Sequence, residues 1–179
     1  STDRGGKMTY HAPGQLIIYF LCNIRRTQIT VRQFIFIIEQ TMVDFFDENN
    51  ILASTNKENP GVYIGKKKIC SLGFRIKHGC TYHGLSLNVD MNLQPFKQII
   101  PCGFYNADVT QTISLGITDN INVIFTNLSK RFIQKLQYSE VIVNENHKEF
   151  QSNKLKKIPI KIQSNEKLLL KPNWIKIQA

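Results

Sequence analysis

Residues 66–89, "KKKICSLGFRIKHGCTYHGLSLNV", constrain the fold more than any other stretch of the chain. Cys70, Leu72, Phe74 and Ile76 alternate with Ser71, Gly73, Arg75 and Lys77. A turn at Gly79 then starts a second run in which Leu85, Leu87 and Val89 take one face. A period of two belongs to a strand with one buried face, so the two runs predict a β-hairpin. The hairpin needs a second layer over its apolar side. "TVRQFIFIIEQTMVDFFDENN" supplies one: Thr30 and Gln33 form a capping-box pattern, and Val31, Phe34, Ile35, Ile38, Met42, Phe45 and Phe46 share one helical face. A second capped helix is expected after Asp119, with Ile121, Ile124, Phe125, Leu128, Phe132 and Leu136 inward. "QLIIYFLC" reads as a further buried strand and "GVYIG" as a short one, while "STDRGGKMTYHAPGQ" and the turn-rich "STNKENPG" read as loops. Strands grouped beside a few helices, without regular alternation, predict an α+β fold with a mixed or antiparallel sheet and packed helices.

At 179 residues the chain is long enough for one domain with a substantial core, and its 42% apolar and 20% charged content is that of a globular protein. The longest apolar run, "LIIYFLC", is too short to span a bilayer, and no secretory leader pattern opens the sequence. A cytoplasmic protein with no membrane partner is expected. The net charge of +10 suits an acidic partner. Nucleic acid, an anionic membrane surface and an acidic protein all meet that description, although no nucleic-acid module is recognisable.

Cys102 stands between Pro101 and Gly103 in "QIIPCGFYN", so its thiol is expected on a bend. An ordinary thiol is mostly protonated at neutral pH, and a nearby ammonium or imidazole favours the nucleophilic thiolate. Two activators are available. Alternation puts Lys68 on the apolar face with Cys70, Leu72 and Phe74, where desolvation suits a general base. His83 is the other, and spacing alone does not choose between a Cys–His and a Cys–Lys pair. Cys22, Cys70, Cys80 and Cys102 include no C-x-x-C pair or zinc-type spacing, so no metal is expected. Gly5 and Gly6 beside Arg4 offer a close backbone approach to a substrate or anion.

Taken together, these segments resemble the lipoyl(octanoyl) transferases, the lipoate–protein ligase B family. "DRGGKMTYHAPGQ" is similar to that family's D-R-G-G-x-x-T-Y-H-G-P-G-Q, and "PGVYIGKKKICSLGFRIKHGCTYHGLSLNV" and "LQPFKQIIPCG" follow its pattern in the same order. The resemblance implies the fold of biotin and lipoate protein ligases over residues 1–143. It implies octanoyl transfer from octanoyl-acyl carrier protein to lipoyl domains of 2-oxoacid dehydrogenase E2 subunits and to glycine cleavage H protein, with no cofactor. Cys102 matches the family's acyl-thioester cysteine and Lys68 the lysine that lowers its pKa, which leaves His83, offered by the residues alone, as a candidate for supporting the site. Arg4, Gly5, Gly6, Lys7, Met8, Thr9, Tyr10 and His11 match a first substrate-binding segment. Ser71, Leu72 and Gly73 match a second, and Gly84, Leu85 and Ser86 a third.

Ala12 departs from the family's glycine, and the chain starts at the D-R-G-G motif, where the family has a substantial preceding segment; an N-terminally truncated chain is the expectation. Residues 144–179 read as a basic tail or linker, and "IPIKIQSNEKLLLKPNWIKIQA" resembles the N-terminal region of lipoyl synthases. Two other readings follow from the same residues. One is an ATP-dependent ligase of the same fold; the other is a degenerate, non-catalytic remnant acting as a basic binding protein.

Overall fold

Alternation carries through the middle of the chain as five strands: β1 (Gln15–Tyr19), β2 (Ala53–Thr55), β3 (Gly61–Ile64), β4 (Lys67–Lys77) and β5 (Cys80–Asn88). The structure is a computed structural model that describes residues 9–26, 29–98 and 108–137. The strands form one sheet in the order β1-β5-β4-β3-β2, each pair antiparallel. The expected hairpin is its centre: β4 and β5 pair from Cys70↔Leu87 to Lys77↔Cys80 around the turn at His78 and Gly79. β2 lies where the sequence reads only as turn-rich loop. Three residues with no apolar alternation give no strand signal, but as a short edge strand β2 needs only the pairing that β3 supplies.

The helices are α1 (Val31–Asp47) and α2 (Ile121–Lys135). The capping box forms: Thr30 Oγ1 accepts from the Gln33 N–H at 3.2 Å, and the Thr30 N–H donates to Gln33 Oε1 at 2.8 Å. Asn120 caps α2, accepting from the N–H groups of Asn122 and Val123. α1 packs on β2 and β3, α2 on β1, and the helices touch each other. Arg131 and Lys135 of α2 pair with Glu48 and Asp44 at the end of α1.

Leu16 and Ile18 of β1, Cys70 of β4, and Leu85 and Leu87 of β5 meet Phe34, Ile38 and Met42 of α1 and Ile124, Leu128 and Phe132 of α2 in one buried core. Phe20 lies at its middle, its ring 6.1 Å from Phe34, 5.9 Å from Phe74 and 4.9 Å from Phe132. One member of the expected α1 face is corrected. Val31 is 41% exposed, because the first turn lies outside the packed span. Thr41 is fully buried instead, its hydroxyl satisfied by the Ile37 carbonyl at 2.7 Å. The tail, residues 144–179, lies outside the described residues.

Candidate functional site

The second and third candidate segments are cross-strand partners. Ser71 pairs with Ser86, Leu72 with Leu85 and Gly73 with Gly84. Alternation sends Leu72 and Leu85 toward the helices, where Leu85 is buried and Leu72 partly so. Ser71, Gly73 and Ser86 then share the opposite face, beside Ile17 of β1, which pairs with Ser86, while Gly84 follows the left-handed His83 and turns toward β1 and Phe20. Small residues at three adjoining positions keep that face low. Gly84 has a packing reason as well: a Cβ there would lie 1.9 Å from the Ile18 carbonyl oxygen, a backbone atom of the neighbouring strand.

Lys68 belongs to this face and not to that of Cys70, contrary to the expectation from simple alternation. Val62 pairs with Cys70 while the next residue, Tyr63, pairs with Lys68, so Ile69 is an extra residue on β4. A β-bulge of this kind reverses the alternation on its two sides. Ile69 and Cys70 are both buried among apolar side chains, and Lys68 turns to the side of Tyr63 and Gly61.

There the Lys68 side chain is 7% exposed and closely held. Its Nζ donates to Asn59 Oδ1 at 2.5 Å and to the Pro60 carbonyl at 3.3 Å, and it lies 5.2 Å from the centre of the Tyr63 ring. The Tyr63 hydroxyl donates to the Asn59 carbonyl at 2.7 Å, which ties the turn to β3. On the helix side, Glu39 Oε1 accepts the Gly61 N–H at 3.3 Å. Burial raises the Glu39 carboxyl above its usual range, with the Gly61 N–H pulling the other way.

The Lys68 backbone is held by a different segment. Its N–H donates to the Asp108 carbonyl at 2.8 Å and its carbonyl accepts the Thr110 N–H at 3.0 Å, a parallel bridge to Val109. The buried Asn88 side chain donates to the Thr110 carbonyl at 2.9 Å and accepts from Gln15 Nε2 at 2.8 Å. Gln15 Oε1 is 2.7 Å from His11 Nδ1. Tyr10 meets Phe96 edge-on at 5.4 Å. The described end of the first candidate segment, the front end of the hairpin and the chain on both sides of the Cys102 stretch therefore meet in one place.

Cys102 itself, with Arg4, Gly5, Gly6, Lys7 and Met8, lies outside the described residues. Thr9 is partly buried beside Tyr10. His83 is not brought to Lys68. It pairs with Phe74, six residues along β4, which at strand spacing is roughly 20 Å away. Its ring sits 6.3 Å from that of Tyr19. Burial pushes the Cys70 thiol far up, outweighing the charge of Lys68, so Cys70 is an inert core residue. Among the described residues no three His, Cys, Asp or Glu side chains gather as a metal site would require, and no helix is long and apolar enough to cross a membrane. Sequence reasoning passed over Asn59, Gln15 and Asn88. The Asn-Pro-Gly turn and the polar end of a strand otherwise ending "LSLN" were the available signals.

The family model for the lipoyl protein ligase A/B catalytic domain matches residues 1–133. The octanoyltransferase of Psychromonas ingrahamii is 42% identical over 140 residues, covering 78% of this chain and 65% of that protein. That of Chromobacterium violaceum is 53% identical over 116 residues, covering 65% of this chain and 56% of that protein. The chain thus spans less than two thirds of the length of these relatives. Among solved structures, lipoate-protein ligase A bound with ATP superposes with a TM-score of 0.63 at 15% identity, covering 80% of this chain and 61% of that one. Biotin protein ligase from Aquifex aeolicus gives 0.56 at 18% identity, covering 69% and 53%. These likenesses show the α+β fold of the biotin and lipoate protein ligases.

Proposed function

The chain belongs to the lipoyl protein ligase A/B catalytic-domain family, and from that premise we propose that it is an octanoyltransferase acting through Cys102. The observation that carries this reading is the identity of 42% to 53% with proteins named octanoyltransferase, over the residues that include Lys68 and Cys102. The seating of Lys68 beside the re-entry of the chain at Asp108, six positions after Cys102, supports it.

In the proposed reaction the Cys102 thiolate attacks the thioester carbonyl of octanoyl-acyl carrier protein. A new C–S bond forms, the bond to the carrier sulfur breaks, and the carrier thiolate takes up the proton released by Cys102. The lysine amine of a lipoyl domain then attacks the octanoyl-enzyme. An amide forms, and the amine proton passes to the departing Cys102 sulfur. Lys68 favours the thiolate by charge and relays these protons. Thioester exchange is nearly even in energy and thioester to amide runs downhill, so no ATP is consumed. The acceptors are lipoyl domains of 2-oxoacid dehydrogenase E2 subunits and glycine cleavage H protein, met in the cytoplasm. Arg4 to His11 bind substrate together with the paired segments Ser71–Gly73 and Gly84–Ser86; the leucines of those segments act through their backbones, since their side chains face the helices.

The test is intact mass after mixing with octanoyl-acyl carrier protein, run beside Cys102→Ser and Lys68→Ala. The reading expects a hydroxylamine-sensitive octanoyl adduct on the native chain, absent from the serine variant and slow in the alanine variant. Lipoyl-domain modification that needs ATP and survives Cys102→Ser would instead favour a ligase, the activity of the ATP-bound neighbour in fold. No adduct on a folded chain would favour a basic binding protein.

A further inference from the structure

We propose that Asn59 is the positioning residue of the site: its side-chain carbonyl holds the Lys68 ammonium at the place from which its charge acts on the nucleophile. The inference rests on the proposed role of Lys68 and adds a residue to it.

A lysine has four rotatable side-chain bonds and loses much freedom when its ammonium is held to one spot. A useful activator must nevertheless be held, because the interaction with a thiolate falls steeply with distance. Asn59 Oδ1 accepts the shorter hydrogen bond from the ammonium, 2.5 Å against 3.3 Å for the Pro60 carbonyl. The Tyr63 ring attracts the cation without directing it. These three groups are uncharged. They orient the ammonium without opposing its charge as a carboxylate would. Among the described residues the titratable groups near it include Tyr63 on β3, Cys70 on β4 and Glu39 on α1, while Asp108 meets Lys68 through backbone atoms.

Asn59 is itself fixed at two points and its turn at a third. Its N–H donates to Asn56 Oδ1 at 3.3 Å, its carbonyl accepts the Tyr63 hydroxyl at 2.7 Å, and two residues on the Gly61 N–H is bound by Glu39. The turn is therefore rigid enough to set the position of its side chain. Asn59 is also partly exposed, so changing that side chain leaves the core untouched.

The experiment is the pH dependence of iodoacetamide alkylation at Cys102, resolved by peptide mass, on the native chain, Asn59→Leu, Lys68→Met and the double variant. Thermal melting checks that each is folded. Lys68→Met is expected to slow alkylation at neutral pH about tenfold, the loss of one nearby charge. Asn59→Leu is expected to slow it about threefold when Lys68 is present and to add nothing to Lys68→Met in the double variant, because the two residues act as one unit. An Asn59→Leu profile that coincides with the native one, while Lys68→Met is shifted, overturns the inference and leaves the proposed function standing. An equal effect of Asn59→Leu with and without Lys68 also overturns it, since Asn59 would then act through the fold. If Lys68→Met leaves the profile unmoved, the role of Lys68 fails first and this inference falls with it.

Discussion

Asn88 and Thr110 are joined by a 2.9 Å hydrogen bond from the Asn88 amide to the Thr110 carbonyl, and this bond closes the sheet onto the chain that follows Cys102. β5 ends at Asn88, and from there on β4 would lose its neighbour. The segment Asp108 to Thr110 takes the vacated place in parallel, against Lys68. Asn88 is 5% exposed, so its amide has little water to turn to. Asn88→Leu should cost about 2–3 kcal/mol in urea unfolding, from the Thr110 carbonyl and the Gln15 amide left unpaired. A loss below about 0.5 kcal/mol would mean the junction is held by other bonds.

Gly84→Ala should destabilise by about 1–3 kcal/mol or more, because the added methyl meets a backbone oxygen that only separation of β1 from β5 can move. Thermal melting checks it. A variant that melts with the native chain would show that β1 and β5 accommodate the methyl without loss.

Thr30→Ala should lower stability by about 1 kcal/mol, and Thr30→Ser by much less, since serine keeps the oxygen that accepts the Gln33 N–H. Equal losses would point to the threonine methyl rather than the cap. Thr30 is none of the proposed site residues, so the proposed octanoyl transfer should be unchanged in both.

Glu39 gives a pH dependence with a definite sign. Its folded pKa is raised, so the folded state holds the proton more tightly than the unfolded chain does. The cost of its charge is therefore absent below the unfolded value, grows as pH rises and is full above the folded value. Glu39→Gln keeps an oxygen for the Gly61 N–H and removes the charge. The variant should be the more stable of the two at neutral pH, and the gap should close as the pH falls through the carboxylate range. A gap that widens on acidification would show that the carboxylate is stabilising.

If the net charge of +10 steers acidic partner proteins to the site, the proposed octanoyl transfer should slow on the order of tenfold between about 0.02 M and about 0.5 M salt. The rate with a small octanoyl thioester should stay level. Equal salt dependence for both donors would remove steering from the account.

The hairpin, α1 and α2 were legible in the linear order of residues, the hairpin from its period of two, α1 from its capping box and apolar stripe, and α2 from a capped start after Asp119 and its repeat, whereas β2 was not. Those signals are local, set by backbone geometry and the burial of one face, and neighbouring residues report them directly. The motifs around Lys68 and Cys102 likewise stood out along the chain. Which face each candidate occupies was settled only by long-range pairing. One extra residue, Ile69, moved Lys68 to the face of Tyr63, and a bulge leaves no mark in an alternating pattern because its cause lies in the partner strand. The pairing of Ser71–Gly73 with Gly84–Ser86 and the junction of Gln15, Asn88 and Thr110 were equally out of reach. Each is a contact between residues distant in the chain, and its energy comes from groups that only the folded backbone brings together.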